Sequence, residues 1–229
     1  MTLTAVDLVI VWLVPLGLLV VLWLGASFVV YVIAVADRPS ALKEDLLRRY
    51  ESKRALRSGS DLRRLSFGWV ARMLLADNCM QATVLYRLSR LLLRRRLRTL
   101  AEGTHAFSKW LTNLDISPHA QIGPGVYFYH GLGTVIGKGT TIGRGALICQ
   151  QVTTGGGPTL GEEIRLWAGA KVIGRVKVGD RCEVGANGVV TSDIPADHIA
   201  VGVPATKMFP KSDAREVNHQ SEIDSYRAS

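Results

Sequence analysis

From Ile116 to Val190 the chain repeats itself about every six residues, and the first position of each unit is usually Ile, Leu or Val. Divided at those positions, the stretch reads ISPHAQ, IGPGVY, FYHGLGTV, IGKGTT, IGRGAL, ICQQVT, TGGGPT, LGEEIR, LWAGAK, VIGRVK, VGDRCE and VGANGV. A short fixed period is typical of a solenoid, and a hexapeptide period is typical of a parallel β-helix. The sequence therefore predicts a mainly β domain over residues 111–210, with the first residue of each unit pointing inward.

Three units form one triangular coil, so that residues 18 apart stack along the axis. This spacing predicts two interior columns, Ile142 with Leu160 and Val178, and Ile148 with Leu166 and Val184. The second position is often glycine, which we expect to relieve a turn that would strain a residue with a Cβ. Each coil buries its aliphatic ring only against its neighbours, so the core depends on several coils being stacked.

A second hydrophobic pattern is the uncharged run from Leu8 to Ala36. About 20 apolar residues span a bilayer core, and Trp12 and Tyr31 suit its two interfaces. The alternative is a cleaved signal peptide ending at the small residues Ala34-Val35-Ala36. The run is long for a signal peptide and no basic residue precedes it. We therefore predict a retained transmembrane anchor over residues 1–36.

Charge distinguishes the next segment from the repeat. Residues 37–110 carry 17 Lys/Arg against 7 Asp/Glu, whereas residues 111–229 carry 11 of each. Basic residues close behind the apolar run predict, by the positive-inside rule, a single-pass protein of the inner membrane whose catalytic domain is cytoplasmic. Three cysteines without metal-ligand spacing fit a reducing compartment, and no metal site is predicted.

Residues 37–110 are predicted to be a basic, helical juxtamembrane segment, with one helix over 40–64 and a longer helical stretch over 68–100. In the second, leucines recur with arginines between them, at Leu85, Leu88, Leu92 and Leu97. Such a helix lies either on an anionic membrane or on the first β-coil. Nucleic-acid binding is not expected, because no stacking aromatics accompany the arginines. Residues 211–229 are predicted to be a polar tail.

His130 is the candidate for chemistry within the repeat. It lies in the one oversized unit, FYHGLGTV, whose two extra residues must bulge from a corner of the coil. Imidazole is the natural general base for a hydroxyl at neutral pH. Asp115 precedes the first unit and is predicted one coil below, where a carboxylate would fix the imidazole tautomer. The alternative for Asp115 is a turn or cap residue before Ile116.

Four segments together resemble a known family: DISPHAQIGPG from Asp115, HGLGTVIG from His130, GAKVIG from Gly169 and GVPA from Gly202. They are similar to the serine O-acetyltransferases and to the related O-acetyltransferases of bacterial polysaccharide clusters, over about residues 78–209. The resemblance implies a left-handed parallel β-helix, a homotrimer with active sites between subunits, and acetyl-CoA as the co-substrate. It implies His130 as the general base and Asp115 as its paired carboxylate.

Two departures from the family concern the acceptor. The resemblance implies an Asp immediately before the catalytic His, where this chain has Tyr129. It also implies a loop carrying an Arg-His pair, but TGGGPT runs directly into LGEEIR. These groups are expected to hold the ammonium and carboxylate of serine. Their loss predicts a different acceptor, a sugar hydroxyl of a polysaccharide or lipid-linked precursor, with Tyr129 as a surface for the sugar ring.

The resemblance places the donor near the C-terminal coils. Backbone groups of small residues there are expected to bind the pantetheine arm, and Lys207 a CoA phosphate; the small residues are Gly155, Ala168, Gly169, Ala186 and Gly188. Small residues at these positions equally serve the coil turns.

The sequence therefore predicts an acetyl-CoA-dependent O-acetyltransferase acting on a glycan. The alternatives are a serine O-acetyltransferase and a non-catalytic trimeric scaffold.

Overall fold

The computed structural model describes residues 18, 21, 23–25, 27–29, 40–55 and 66–212. Within these residues no helix is long and apolar enough to cross a membrane. Most of the predicted anchor, and the tail after residue 212, lie outside the described residues.

A left-handed parallel β-helix begins at Asp115. The six-residue period predicts the β-helix, and the family resemblance implies its handedness. Its short strands form three sheets, one for each side of the triangle. The first sheet contains β1 (Asp115–Ile116), β4 (Val135–Ile136), β7 (Thr153–Gly155), β10 (Lys171–Ile173) and β13 (Val189–Val190). The second contains β2 (Gln121–Ile122), β5 (Thr141–Ile142), β8 (Thr159–Leu160) and β11 (Lys177–Val178). The third contains β3 (Tyr127–Tyr129), β6 (Leu147–Cys149), β9 (Arg165–Leu166), β12 (Glu183–Val184), β14 (His198–Val201) and β15 (Lys207–Pro210).

Both predicted interior columns are confirmed by the strand register. Ile142 pairs with Leu160 and Leu160 with Val178, and the column of Ile148, Leu166 and Val184 is built in the same way. All six side chains are buried within one continuous core. The stacked aliphatic positions therefore form the interior of the β-helix.

The expected reason for glycine at the second position of a unit is wrong. Gly123 and Gly143 do not have left-handed φ angles. Instead, a Cβ on Gly123 would lie 2.6 Å from the backbone carbon of Gly143, and one on Gly143 would lie 2.6 Å from that of Gly161. Real Cβ atoms do not approach backbone so closely, so these glycines are needed because successive coils stack tightly at this corner.

Four helices precede the β-helix: α1 (Ala41–Ala55), α2 (Phe67–Ala76), α3 (Asn78–Arg94) and α4 (Arg98–Thr112). The continuous helical stretch predicted over 68–100 is therefore divided. Asp77 has an extended backbone and ends α2, and its carboxylate accepts from the Met80 N–H as the N-cap of α3. Such a side-chain cap satisfies one of the free N–H groups at the start of a helix.

The helices close the open end of the first coil. Arg87 donates to the carbonyls of Ile122 and Gly123 at 2.7 Å, and Arg90 to that of Ala120 at 2.6 Å. These carbonyls lie in the first coil of the solenoid, which has no preceding coil. Side chains of α3 supply the hydrogen bonds that another coil would otherwise provide, which is the role of a capping unit.

This arrangement corrects the predicted orientation of α3. Its arginines Arg87 and Arg90 face the β-helix, while Leu88 is 43% exposed. Leu97, beyond the end of α3, is 47% exposed. Of the two alternatives, packing on the first β-coil was expected to leave the basic face of this helix solvated. Here the peptide groups at the end of the β-helix attract the guanidinium groups instead.

Candidate active site

His130 lies at the corner between β3 and β4, where the two extra residues are accommodated. Asp115 pairs with Val135, a separation of 20, whereas Val135 pairs with Thr153, a separation of 18. The predicted bulge is therefore confirmed. His130 has a left-handed backbone with φ of 57°, a conformation for which His is enriched among non-glycine residues. Its side chain is exposed, and its ring has no hydrogen bond or ion pair within the described part of the chain.

The next residue, Gly131, fixes this corner against the helices. It is buried, and a Cβ there would lie 2.6 Å from Cδ2 of Leu114 and 3.0 Å from Sγ of Cys79. A larger residue would push the corner away from α3 and displace the imidazole. Glycine after His130 is therefore a packing requirement of the site.

Tyr129 forms the wall beside the imidazole. Its ring centroid lies 4.1 Å from that of His130, in an edge-to-face arrangement with an interplanar angle of 62°. Tyr129 is 43% exposed, so part of the ring is available to a ligand. The phenol supplies a flat apolar surface where the resemblance implies a carboxylate.

Strand β3, which leads to His130, is held by a buried arginine of α1. Arg49 donates to the carbonyl of Phe128 at 2.7 Å, and its guanidinium lies over the Tyr127 ring, 4.7 Å from the centroid. It also forms a buried bidentate ion pair with Asp77, at 2.6 to 2.9 Å. The N-cap of α3 and the strand before the candidate base are thus joined through one guanidinium.

Asp115 has partners other than the one predicted. Its Oδ1 lies 2.8 Å from Nε2 of His105, and its Oδ2 lies 3.9 Å from Nζ of Lys109. Both partners lie on α4, which ends three residues before Asp115, so its last two turns stand over the start of β1. The predicted hydrogen bond between Asp115 and His130 is not formed in this structure.

The corner that carries His130 continues through later coils as a line of predicted donor-binding residues. Ala168 and Ala186 lie on it, one coil apart, and the Asn187 N–H donates to the Ala168 carbonyl at 2.8 Å. The N–H groups of Ala168 and Ala186 have no hydrogen-bond partner within the described residues. These two groups can therefore bind an amide-bearing ligand that runs along the corner.

The three predicted glycines are engaged within the coil itself. The Gly169 N–H donates to the Gln150 carbonyl at 2.9 Å, and the Gly188 carbonyl accepts from Lys171 at 2.8 Å. The Gly155 carbonyl accepts from Gly174, also at 2.8 Å. These bonds occupy the backbone groups concerned. Their role toward CoA stays a prediction.

Lys207 lies at the same corner near the C-terminal end of the β-helix. It begins β15, which pairs antiparallel with β14 so that Lys207 faces Val201, next to Gly202 at the corner. It is exposed and has no ion pair within the described residues. Four coil steps separate this position from His130, roughly 19 Å at the usual strand spacing.

Three further observations concern the chemistry of the site. Thr153 pairs with Lys171 without any added residues, so the loop implied by the resemblance is absent here. Burial raises the pKa of the Cys149 thiol above its ordinary value, which keeps it protonated and unsuited to act as a nucleophile. Among the described residues no group of three or more His, Cys, Asp or Glu side chains could hold a metal ion.

Sequence reasoning missed the roles of Arg49, Asp77 and His105. The only available signals were an Asp between two helical stretches and a His on the helical segment before the repeat. Neither signal identifies a partner, because the contacts join residues 28 positions apart for Arg49 and Asp77, and 10 apart for His105 and Asp115.

No protein-family model matches the sequence. Among curated proteins, the serine acetyltransferase of Helicobacter pylori (strain J99) is 40% identical over 132 residues, covering 54% of this chain and 77% of the relative. The serine acetyltransferase of Bacillus subtilis is 30% identical over 189 residues, covering 78% and 82%. The match to the serine acetyltransferase of Synechococcus elongatus, at 35% identity, spans 56% of each protein.

Solved structures give the same result for the fold. A serine acetyltransferase in complex with CoA superposes with a TM-score of 0.64 at 29% identity, covering 79% of this chain and 74% of that one. Soybean serine acetyltransferase complexed with serine gives 0.65 at 30% identity, with the same coverage of both chains.

Proposed function

The chain belongs to the serine acetyltransferase family of acyltransferases, and from this premise we propose that it transfers an acetyl group from acetyl-CoA to a hydroxyl, with His130 as the general base. The observation that carries this proposal is the placement of His130. An exposed imidazole with no hydrogen bond or ion pair to the described residues projects from the enlarged corner of the coil. It shares that corner with two free backbone N–H groups.

In this mechanism His130 removes the proton from the acceptor hydroxyl as the oxygen attacks the thioester carbonyl. The acyl oxygen becomes negative in the tetrahedral intermediate, and backbone N–H groups are the usual donors to such an oxyanion. Collapse of the intermediate releases the CoA thiolate, and the imidazolium can return its proton to that thiolate. The edge of Tyr129, 4.1 Å away between centroids, restricts the orientation of the imidazole.

The donor would lie along the corner column. The free N–H groups of Ala168 and Ala186 fit the amides of the pantetheine arm, which can bind to exposed backbone as an added strand would. Lys207 at the far end fits a phosphate. That a related enzyme has been solved in complex with CoA supports this assignment.

We propose L-serine as the acceptor. Asp115 remains a proposed partner of the base, a role that requires its bond to His105 to open. The choice of serine rests on relatives that are 30 to 40% identical and named serine acetyltransferases, and on a related structure in complex with serine. The chain lacks the Asp before the base and the Arg-His loop, which are expected to hold the ammonium and carboxylate of serine. Its affinity for serine should therefore be lower than that of an enzyme that has these groups.

A second candidate acceptor is a sugar hydroxyl. Two specific observations favour it: the half-exposed Tyr129 ring beside His130, and the uninterrupted 18-residue register from Thr153 to Lys171. Aromatic rings present flat apolar surfaces with a polar tip, which suits an amphipathic ligand. A lipid-linked glycan would be compatible with the apolar run Leu8–Ala36 as an inner-membrane anchor and a cytoplasmic catalytic domain, both of which remain proposals.

One assay distinguishes the two acceptors. Purified protein is given acetyl-CoA and either L-serine or a panel of glycosides and lipid-linked sugars, and thiol release is measured. Acceptor-dependent release with serine, lost in His130→Ala, supports the first candidate. Turnover of a glycoside without turnover of serine supports the second. No acceptor-dependent release together with no binding of acetyl-CoA would contradict the proposed activity itself.

A further inference from the structure

The outer side of the α3–α4 hairpin is apolar and lacks a protein partner within the described residues. Seven large apolar side chains on or between these two helices are each more than 40% exposed: Leu88, Leu91, Leu97, Leu100, Phe107, Trp110 and Leu111. Single exposed leucines are ordinary on a surface. Seven on one hairpin are more than scattered single residues, and clustered exposed apolar side chains are typical of an interaction site.

The arginines of α3 explain why apolar residues lie on the outer face of this helix. Arg87 is used on the inner side, pairing with the buried Asp45 at 2.8 Å and donating to two carbonyls of the first coil. Arg90 is used there as well. The inner face of α3 is therefore used to cap the β-helix, and Leu88 and Leu91 are turned outward.

On α4 the outer face carries no charge at all. This holds for the side directly opposite the buried Ala101, Ser108 and Thr112, where the exposed residues are Thr99, Gly103, Ala106, Phe107 and Trp110. The exposed Glu102 and Lys109 flank that side on one edge, and Leu100 and Leu111 flank it on the other. The rings of Phe107 and Trp110 lie 5.9 Å apart between centroids. Trp and Phe among leucines are typical of helices that lie in the interfacial region of a bilayer.

Positive charge at the hairpin turn identifies the class of partner. Arg94, Arg95, Arg96 and Arg98 are all exposed, and none has a hydrogen bond or ion pair from its side chain within the described residues. Four such guanidinium groups next to exposed leucines fit the surface of an anionic bilayer. There the headgroups carry negative charge and the acyl chains beneath them are apolar. A second protein copy placed face to face by a twofold axis would bring the same four arginines together, so like charges would meet.

We propose that the outer face of the α3–α4 hairpin, defined by these seven apolar side chains and four arginines, lies on an anionic phospholipid membrane. The leucines and aromatic rings enter the interfacial region while the guanidinium groups bind lipid phosphates. This contact is separate from the apolar run Leu8–Ala36 and does not depend on the acceptor. It would hold the β-helix against the bilayer.

The test places a reporter on the hairpin itself, so that an anchor elsewhere in the chain does not confuse the result. The native cysteines Cys79, Cys149 and Cys182 are buried, so an environment-sensitive fluorophore can be attached selectively to a Leu100→Cys variant of the full chain. The protein is transferred from detergent into lipid nanodiscs of phosphatidylcholine, alone or mixed with phosphatidylglycerol. A matched variant carries the label at Lys177→Cys, an exposed position on β11.

We expect a blue shift of the label at residue 100 in nanodiscs that contain phosphatidylglycerol, a much smaller shift in pure phosphatidylcholine, and none at residue 177. Each arginine near an anionic surface contributes about fivefold to binding. In an Arg95→Gln/Arg98→Gln variant the equilibrium constant for the shift should therefore fall about 25-fold. Both residues are exposed and unpaired, and far-UV circular dichroism of that variant checks that the helices remain.

Three outcomes would overturn the proposal. The first is no shift in any lipid. The second is an equal shift in neutral and anionic nanodiscs, which removes the role of the arginines. The third is a shift in detergent that grows with protein concentration, which would show that a second copy covers the face.

Discussion

At the scale of single residues, the proposed chemistry depends on one imidazole whose neighbours differ from those expected. His130 is edge-on to Tyr129, and Asp115 is bonded to His105 on α4. The base is therefore assigned from its exposed position at the enlarged corner, not from a preformed pair with a carboxylate.

Replacement of His130 by Ala should abolish acceptor-dependent release of CoA. General-base catalysis contributes about 10²–10⁴-fold, so the rate should fall by at least that factor while binding of acetyl-CoA persists. The measurement is steady-state thiol release with the acceptor identified in the comparative assay. His198→Ala is the matched control, because that ring bonds only the nearby Ala196 carbonyl. Retention of more than roughly a tenth of the rate in His130→Ala would show that another group is the base.

Tyr129→Asp should raise the specificity of the enzyme for L-serine. A carboxylate beside His130 supplies a partner for the ammonium of the amino acid, and truncating one partner of a charged pair costs about 2–5 kcal/mol. Building such a pair should recover part of this, so kcat/KM for serine should rise about tenfold or more. Tyr129→Phe serves as the control, since it keeps the ring. An unchanged or lower kcat/KM for serine in Tyr129→Asp would contradict this account of the acceptor pocket.

At the scale of elements, the capping of the first coil is the feature that organises the helical segment. Side chains of α1 and α3 donate to or accept from backbone groups at the start of the β-helix. Asp45 accepts from the Val126 N–H at 3.0 Å, and the Tyr86 hydroxyl donates to the Ala120 carbonyl at 3.0 Å. The position of His130 at the end of β3 is thus coupled to these helices.

Arg49→Ala should destabilise the protein strongly. Asp77 would remain buried without its guanidinium partner, and breaking a buried ion pair in this way costs about 3–5 kcal/mol. Urea unfolding followed by circular dichroism measures the change. Arg72→Ala on α2, where the side chain is exposed, is the matched control. Combining Arg49→Leu with Asp77→Asn should restore much of the loss, because Asn keeps the N-cap and removes the charge. A decrease of less than about 1 kcal/mol in the free energy of unfolding of Arg49→Ala would contradict this role of the Arg49–Asp77 ion pair.

The antiparallel pair of β14 and β15 should become less stable in acid. Burial raises the pKa of Glu183, but hydrogen bonds from Lys211 and Trp167 and the charges of Lys211 and Arg165 outweigh it and lower that pKa below its usual range. A carboxyl group whose pKa is lower in the folded state contributes stability above its unfolded pKa, about 4.3, and loses it as the pH falls through the folded value. When melting temperatures are measured from pH 7 to pH 3, they should begin to decrease near pH 4.3, about the unfolded pKa. The decrease should be less steep in Glu183→Gln. Parallel curves for the two proteins would exclude Glu183 as the cause.

The β-helix could be predicted from sequence because its signal is local and repeated. Ile142, Leu160 and Val178 stack at a spacing of 18 that is visible without a structure, and the two extra residues beside His130 mark the corner. The helices could not be oriented in this way. The sequence left open whether leucines such as Leu88 face a membrane or the first coil. Only the carbonyls at the exposed end of the first coil explain why Arg87 and Arg90 face inward. Contacts such as Arg49 with Asp77 depend on the assembled fold.

At the scale of the whole molecule, a solenoid of this kind leaves its sides open. The first sheet and its adjoining corner expose Leu132, Val135 and Ile173 near the candidate site. The resemblance implies that the active sites lie between subunits of a trimer. Partner residues could then complete the site around His130, including the acceptor contacts that a single chain lacks.

We therefore predict that the protein is a trimer and that the full chain is held in the membrane. Light scattering in detergent should give three copies of the 25.0 kDa chain, and alkaline carbonate should fail to release the chain from membranes. A variant lacking residues 1–36 is the control for the apolar run. It should be extracted by carbonate more readily, yet remain trimeric, because the exposed first sheet that would pack between subunits is retained. A monomer with full activity would contradict an active site between subunits. Complete release of the full chain by carbonate would contradict the anchor, while leaving the activity of His130 and the fold of the β-helix unaffected.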